Sequence, residues 1–184
     1  MEINGIEKLY HGTCSPHDNI DLTFSDDFKD FGRGYYLTSN SAQAESWAKR
    51  RGKREGICWV YEYTLNDTDI KDFKILQLLE YNEEWLNFIT RNRRYGHCSG
   101  DYDIIYDRMA DNQAEELQKT ITLFAQKMIS SEYAISKIRF KVDKRRDQYC
   151  FKTEKAVALL RRNSFTKYVY RDGQWESFIG GDQH

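Results

Sequence analysis

The sequence predicts an α+β protein, and three stretches carry that expectation. Residues 57–65, ICWVYEYTL, alternate β-branched and aromatic side chains with their neighbours, the pattern of a half-buried strand. Residues 114–128 place Leu117, Ile121, Phe124 and Met128 on one face of a helix. Residues 30–47, DFGRGYYLTSNSAQAESW, combine the two: a glycine turn, a short strand, a cluster of capping residues and a helix. With 184 residues, a single proline, no low-complexity linker and no internal repeat, the chain is expected to form one domain with a substantial core.

Taken in order, Leu9 and Tyr10 lead into His11-Gly12-Thr13, a strand that ends at a glycine. There the backbone amide and carbonyl become accessible to a ligand. His11 suits either a polar contact with that ligand or a structural hydrogen bond. Residues 15–29 lack a sustained period and predict a loop with at most one short helix. In residues 30–47, Gly32 and Gly34 permit a tight turn and close approach to the main chain. A strand over 35–38 follows, then a helix from 42 capped by Ser39, Asn40 or Ser41. Tyr36 and Trp47 are placed to face one another, as a core aromatic pair or as a binding pair.

After the strand at 57–65, the apolar positions Leu76, Leu79, Trp85, Phe88 and Ile89 approximate helical spacing and predict one or two helices over 73–91. Residues 102–106, YDIIY, predict a strand, residues 107–111 a polar turn, and residues 131–140 a helix beside that at 114–128. Together these make residues 73–140 a helical insertion, expected as a lobe on one side of the sheets. Residues 148–153, QYCFKT, alternate as a strand with Gln148, Cys150 and Lys152 on one face. A helix through Ala156, Leu159 and Leu160 is expected next. Asp172-Gly173 between aromatic runs predicts an accessory C-terminal hairpin over about 165–180.

Several function classes are disfavoured. The sequence shows no apolar run long enough to span a bilayer and no charged-then-apolar leader pattern, so a cytoplasmic protein without a membrane partner is expected. Cys14, Cys58, Cys98 and Cys150 are widely spread without a C-x-x-C pair, which favours reduced thiols. A net charge of −1 gives no global attraction to nucleic acid, and the basic clusters at 49–54, 91–94 and 141–146 read as solvated helix ends or loops. His11, Cys14 and His17 are competent metal ligands within seven residues. A structural zinc site wants four ligands in recognised pairs, and His97-Cys98 would have to fold over to complete it, so no metal is expected.

Three segments end predicted strands with a polar group: His11-Gly12-Thr13, Gly32-Arg33-Gly34-Tyr35-Tyr36, and Gln148. Their order resembles the ADP-ribosyltransferase superfamily, in its diphtheria-toxin-like branch with a His, Tyr and Glu signature. The runs DFGRGYYLTSNSAQAESWA, YDIIYDRMAD and QYCFKTEKA are also similar to a bacterial family known only as a domain of unknown function. Its members are regarded as ADP-ribosyltransferase-like, and some sit in toxin–antitoxin-like gene pairs. The likeness runs from about Leu9 to Leu160.

The resemblance implies a split, mainly antiparallel pair of sheets around a cleft for NAD, which would act as co-substrate. It assigns His11, Tyr36 and Gln148 to the signature positions. His11 would bond the adenosine ribose hydroxyl, Gly12 would pair its backbone with the nicotinamide amide, and Thr13 would supply a hydroxyl. Tyr36 and Trp47 would sandwich the ring, Gly34 would let the chain bring Tyr36 to the cleft, and Arg33 would reach a phosphate or face solvent. Gln148 stands where the branch has glutamate, and an amide lacks the negative charge that stabilises a cationic transition state; Glu154 is the nearest acidic substitute. The implied activity is mono-ADP-ribosylation of a protein or nucleic-acid acceptor, with an antitoxin protein as a partner. The alternatives are an inactive NAD- or ADP-ribose-binding module of the same fold, an RNA 2′-phosphotransferase, or a domain with neither ligand nor activity.

Overall fold

The computed structural model describes residues 8–65, 70–96, 100–110, 114–139 and 146–181. In chain order its strands are β1 (Leu9–Thr13), β2 (Tyr35–Leu37), β3 (Ile57–Leu65), β4 (Ile75–Leu78), β5 (Ile104–Arg108), β6 (Asp147–Phe151), β7 (Leu160–Arg171) and β8 (Gln174–Gly181). The helices are α1 (Ser41–Arg51), α2 (Glu83–Tyr95), α3 (Ala114–Ala125), α4 (Ser131–Ile138) and the single turn α5 (Glu154–Val157). The fold is therefore mixed α+β, with two four-stranded sheets ordered β1-β3-β7-β8 and β2-β6-β5-β4. Among the described residues, no helix is long and apolar enough to cross a membrane.

The chain divides into two compact units, Met1–Ile20, Tyr36–Asp72 and Glu154–His184 in the first, Asp21–Tyr35 and Phe73–Thr153 in the second. The division falls inside β2, between Tyr35 and Tyr36. In the first unit all neighbouring strands of the sheet are antiparallel. One face of β3 buries Cys58 and Val60 against Ala44 and Ala48 of α1, with Tyr10, Tyr168 and Trp175 packed around them. Small residues on α1 let it lie close to the sheet, and Asn40 caps it by accepting from the Gln43 N–H at 3.1 Å. The β7–β8 turn at Asp172-Gly173 has φ of 48° and 83°, the left-handed pair that a tight hairpin requires.

In the second unit β4 and β5 are parallel, and β5 and β6 antiparallel. Asp103, buried just before β5, accepts from the Lys74 N–H and the Thr153 hydroxyl, both at 2.8 Å, and so ties together the starts of β4 and β5 and the end of β6. The fully buried Trp85 anchors α2 and donates its indole N–H to the Arg108 carbonyl at 2.9 Å.

Several element expectations need correction. Residues 73–91 are not helical throughout: Ile75–Leu78 is strand β4, and α2 begins only after Asn82, whose side chain accepts from the Trp85 N–H. Residues 73–140 thus hold two sheet strands as well as three helices. The helix expected through Leu160 stops at Val157, because Leu160 already pairs with Leu65. The C-terminal hairpin begins at Leu160, and β7 pairs with β3 from Leu160 to Val169, with a bulge at Asn163. The helix from Ala114 ends at Ala125, since Lys127 turns left-handed with φ of 58°. Phe140, residues 141–145 and the pair His97-Cys98 lie outside the described residues.

Candidate functional site

Of the first-unit residues singled out in the sequence, His11, Gly12 and Thr13 lie on β1, and Tyr36 is bonded to His11. Tyr10 exchanges both backbone hydrogen bonds with Thr38, its N–H donating at 2.8 Å and its carbonyl accepting at 3.0 Å. That pairing is an isolated bridge beyond β2, and no strand ladder continues from it along β1 among the described residues. In an antiparallel strand the N–H and C=O of one residue point the same way and alternate along the chain. Gly12, two residues on, therefore directs its amide and carbonyl to the same edge as Tyr10, away from β3.

The strands part here, but a side chain keeps them in touch. His11 Nδ1 donates to the Tyr36 carbonyl at 2.7 Å. A carbonyl can only accept, so Nδ1 carries the proton, and Nε2 is the acceptor of the neutral ring. His11 and Tyr36 are thereby brought together by a bond that fixes the imidazole's orientation as well as its tautomer.

Gly12 has a second reason to be glycine. A Cβ there would lie 2.2 Å from the Ala44 carbonyl oxygen and 3.2 Å from the Ala48 Cβ, so α1 occupies the space of a side chain. The same helix carries Trp47, which is 38% exposed and has the Arg50 guanidinium 4.6 Å from its ring centre. Trp47 is thus not a core residue, and its ring face already attracts a cation. Thr13 closes β1, where its hydroxyl donates to the Ser15 carbonyl at 3.2 Å and accepts from the Ser15 N–H at 3.1 Å.

Arg33, Gly34 and Gln148 belong to the second unit. Arg33 forms a two-point ion pair with Asp27 at 2.9 and 3.0 Å, and this partner raises its pKa above the ordinary value. Its side chain is 44% exposed and paired within its own turn. A Cβ on Gly34 would lie 2.4 Å from Cys150 Sγ and 2.9 Å from the Phe151 carbonyl oxygen, so the second glycine lets the turn lie against β6. Lys152 holds the turn there by donating to the Phe31 and Arg33 carbonyls at 2.8 and 2.6 Å. Burial lowers the pKa of its ammonium. Gln148 shares the β6 face of Cys150 and opposes Asp107 on β5. Its Nε2 is buried without a hydrogen-bond partner.

Sequence patterns did not single out the contacts that hold the segment after β1. Tyr61, opposite His11 on β3, accepts from the His17 N–H at 3.0 Å and stacks on the His17 ring at 4.4 Å. The His17 ring in turn meets His11 edge-on at 5.6 Å. Arg162 donates to the His17 and Asp18 carbonyls at 3.0 and 3.2 Å. Burial, opposed by a bond to the Ser15 carbonyl and aided by Arg162, lowers the His17 pKa and favours its neutral ring. Sequence separation hid this cluster: residues 17, 61 and 162 meet only through the β1-β3-β7 register. Among the described residues, no three His, Cys, Asp or Glu side chains are arranged to hold a metal ion.

Fold and site together define a mixed α+β protein in which β1 parts from β2 at a glycine edge, with a histidine bonded across the gap. The chain belongs to the family described as Protein of unknown function (DUF3990), which it matches over residues 7–162. No curated protein and no solved structure matches it.

Proposed function

We propose that this protein is an NAD-dependent mono-ADP-ribosyltransferase with the core fold of that superfamily, modifying a protein or nucleic-acid acceptor in the cytoplasm. The resemblance further suggests a toxin restrained by an antitoxin protein. The observation that carries the reading is the β1 edge: Gly12 presents an amide and a carbonyl side by side, next to His11 and Tyr36. A carboxamide such as that of nicotinamide has one donor and one acceptor in the matching order, and can bond both without any side chain from the protein.

The remaining roles follow from chemical need. Cleavage of the bond between nicotinamide and ribose develops positive charge on the sugar while a neutral base leaves. The nicotinamide ring is itself cationic before cleavage, which suits the aromatic faces of Tyr36 and Trp47. His11, held as the Nδ1–H tautomer by the Tyr36 carbonyl, offers Nε2 to a ribose hydroxyl. Gln148 keeps the role that the resemblance gives it, as a hydrogen-bonding group for the ribose to which the acceptor is joined.

Incubation with NAD labelled in its adenylate half, together with lysate of a bacterial host, tests this reading. Label should pass to protein or nucleic acid with release of nicotinamide, and His11→Ala and Tyr36→Ala should each lower transfer at least ~100-fold. No transfer and no NAD binding by the native protein would overturn it. The second reading, an inactive NAD- or ADP-ribose-binding module, is favoured by the uncharged Gln148. Calorimetry showing saturable binding without turnover on any acceptor would select it.

A further inference from the structure

Strand register, rather than sequence spacing, directs two of the cysteines toward one another. The β1–β3 ladder pairs Gly12 with Val60 and Thr13 with Trp59, and the same register carried one residue past the end of β1 would bring Cys14 opposite Cys58. The ladder ends at Thr13 because the Ser15 N–H turns back to the Thr13 hydroxyl. Strand alternation continued to Cys14 would put both cysteines on one face. Val60 and Cys58 pack on Ala44 and Ala48 of α1, and a Cβ on Gly12 would point at the same two alanines, two residues before Cys14. In that register the pair 14/58 would fall in the non-hydrogen-bonded class, because Tyr10 and Gly12 direct their backbone groups away from β3. Opposed residues of that class have Cα atoms ~4.5 Å apart, within the span that a disulfide bridges.

We propose that Cys14 and Cys58 form a redox-modification site, which a hydroperoxide converts from two free thiols to one cross-strand disulfide. Cys14 is the half-buried, reachable member and Cys58 is fully buried. The Cys14 sulfur attacks the peroxide, the O–O bond breaks, and a sulfenic acid and one water result. The Cys58 sulfur then attacks the Cys14 sulfur, the S–O bond breaks, and the hydroxyl leaves with the Cys58 proton as a second water. Two thiols lose two electrons in total, and one hydrogen peroxide is reduced to two waters. Burial pushes the Cys58 thiol up to about 11, so little thiolate is present at neutral pH, and the second step quickens as pH rises. The inference rests on the β1–β3 register and is independent of NAD.

The test uses the native full chain treated with hydrogen peroxide, alkylated, and mapped by mass spectrometry without reduction. A cross-linked Cys14–Cys58 peptide pair is expected, formed faster at alkaline than at neutral pH, restored to two alkylatable thiols by dithiothreitol, and still formed in Cys150→Ser. Two outcomes would overturn the proposal. One is Cys14 oxidised to sulfinic or sulfonic acid while Cys58 stays a free thiol; the other is both thiols remaining alkylatable after treatment. Because the readout is taken on the native chain, it does not depend on whether Cys58→Ser folds.

Discussion

At the scale of single residues, Gly12 carries two demands that are separable by experiment. Its backbone edge serves the proposed carboxamide contact, while its missing side chain admits α1. Gly12→Ala should therefore destabilise the fold by about 3 kcal/mol, since the new methyl meets a backbone oxygen that cannot swing aside. Urea unfolding of the variant checks this; an unchanged midpoint would mean that α1 can shift without cost. Loss of NAD binding in that variant would then say nothing about nicotinamide, and His11→Ala is the cleaner probe. The sequence could place His11 and Gly12 at a strand end, but not this second role, which depends on Ala44 and Ala48 arriving from thirty residues away.

A residue-scale pH effect follows from the cluster beneath α1. Burial raises Cys58 from 9.0 to about 11, and burial together with Glu45 raises Tyr168 from 10.0 to about 12. Both groups hold their protons more tightly folded than unfolded, so their contribution to stability is complete below pH 9. It is lost as the pH rises through about 11 and 12. Denaturant midpoints measured below pH 9 and again near pH 11 should fall, and should fall less in Cys58→Ala. A midpoint that held constant across that window would contradict the buried, neutral thiol.

At the scale of elements, legibility tracked how local the stabilising contacts are. The turn, strand, cap and helix from Phe31 to Arg51 could be read because glycines, Asn40 and the alanine-rich run act on their own neighbours. Replacing Asn40 by Ala should cost about 1 kcal/mol by leaving the Gln43 N–H without its cap. Thermal unfolding checks this, with Asn40→Asp expected to retain most of the native stability. Strand β4 was hidden because Ile75–Leu78 is a four-residue apolar run, which fits a helix turn and a buried strand equally well. Its parallel pairing with β5, twenty-nine residues on, decides between them. The first half of β7, LRRNSFTK, has no strand-like alternation of apolar residues, and it is strand because β3 pairs with it on both sides of a bulge at Asn163.

At the scale of the whole molecule, the proposed transferase and the alternative proposal of an inactive binding module differ at Gln148. In the signature role that the resemblance assigns to this position, a carboxylate would supply negative charge to a cationic ribose, which an amide cannot do. The Gln148 Nε2 is buried without a partner, so an additional acceptor is not already required at that atom by the protein. Gln148→Glu breaks no hydrogen bond at that atom, and its stability cost is that of burying an ionised carboxyl group, at least ~3 kcal/mol. Under the transferase reading it should raise the rate of label transfer from NAD by ~10-fold or more, with little change in NAD affinity. Under the binding-module reading both forms bind NAD and neither turns it over. A folded Gln148→Glu variant that binds NAD as the native chain does yet transfers label more slowly would mean that the amide itself serves as a donor in the transition state. That result would reverse the role assigned to Gln148 while leaving the Gly12 edge, which calorimetry reads separately, intact.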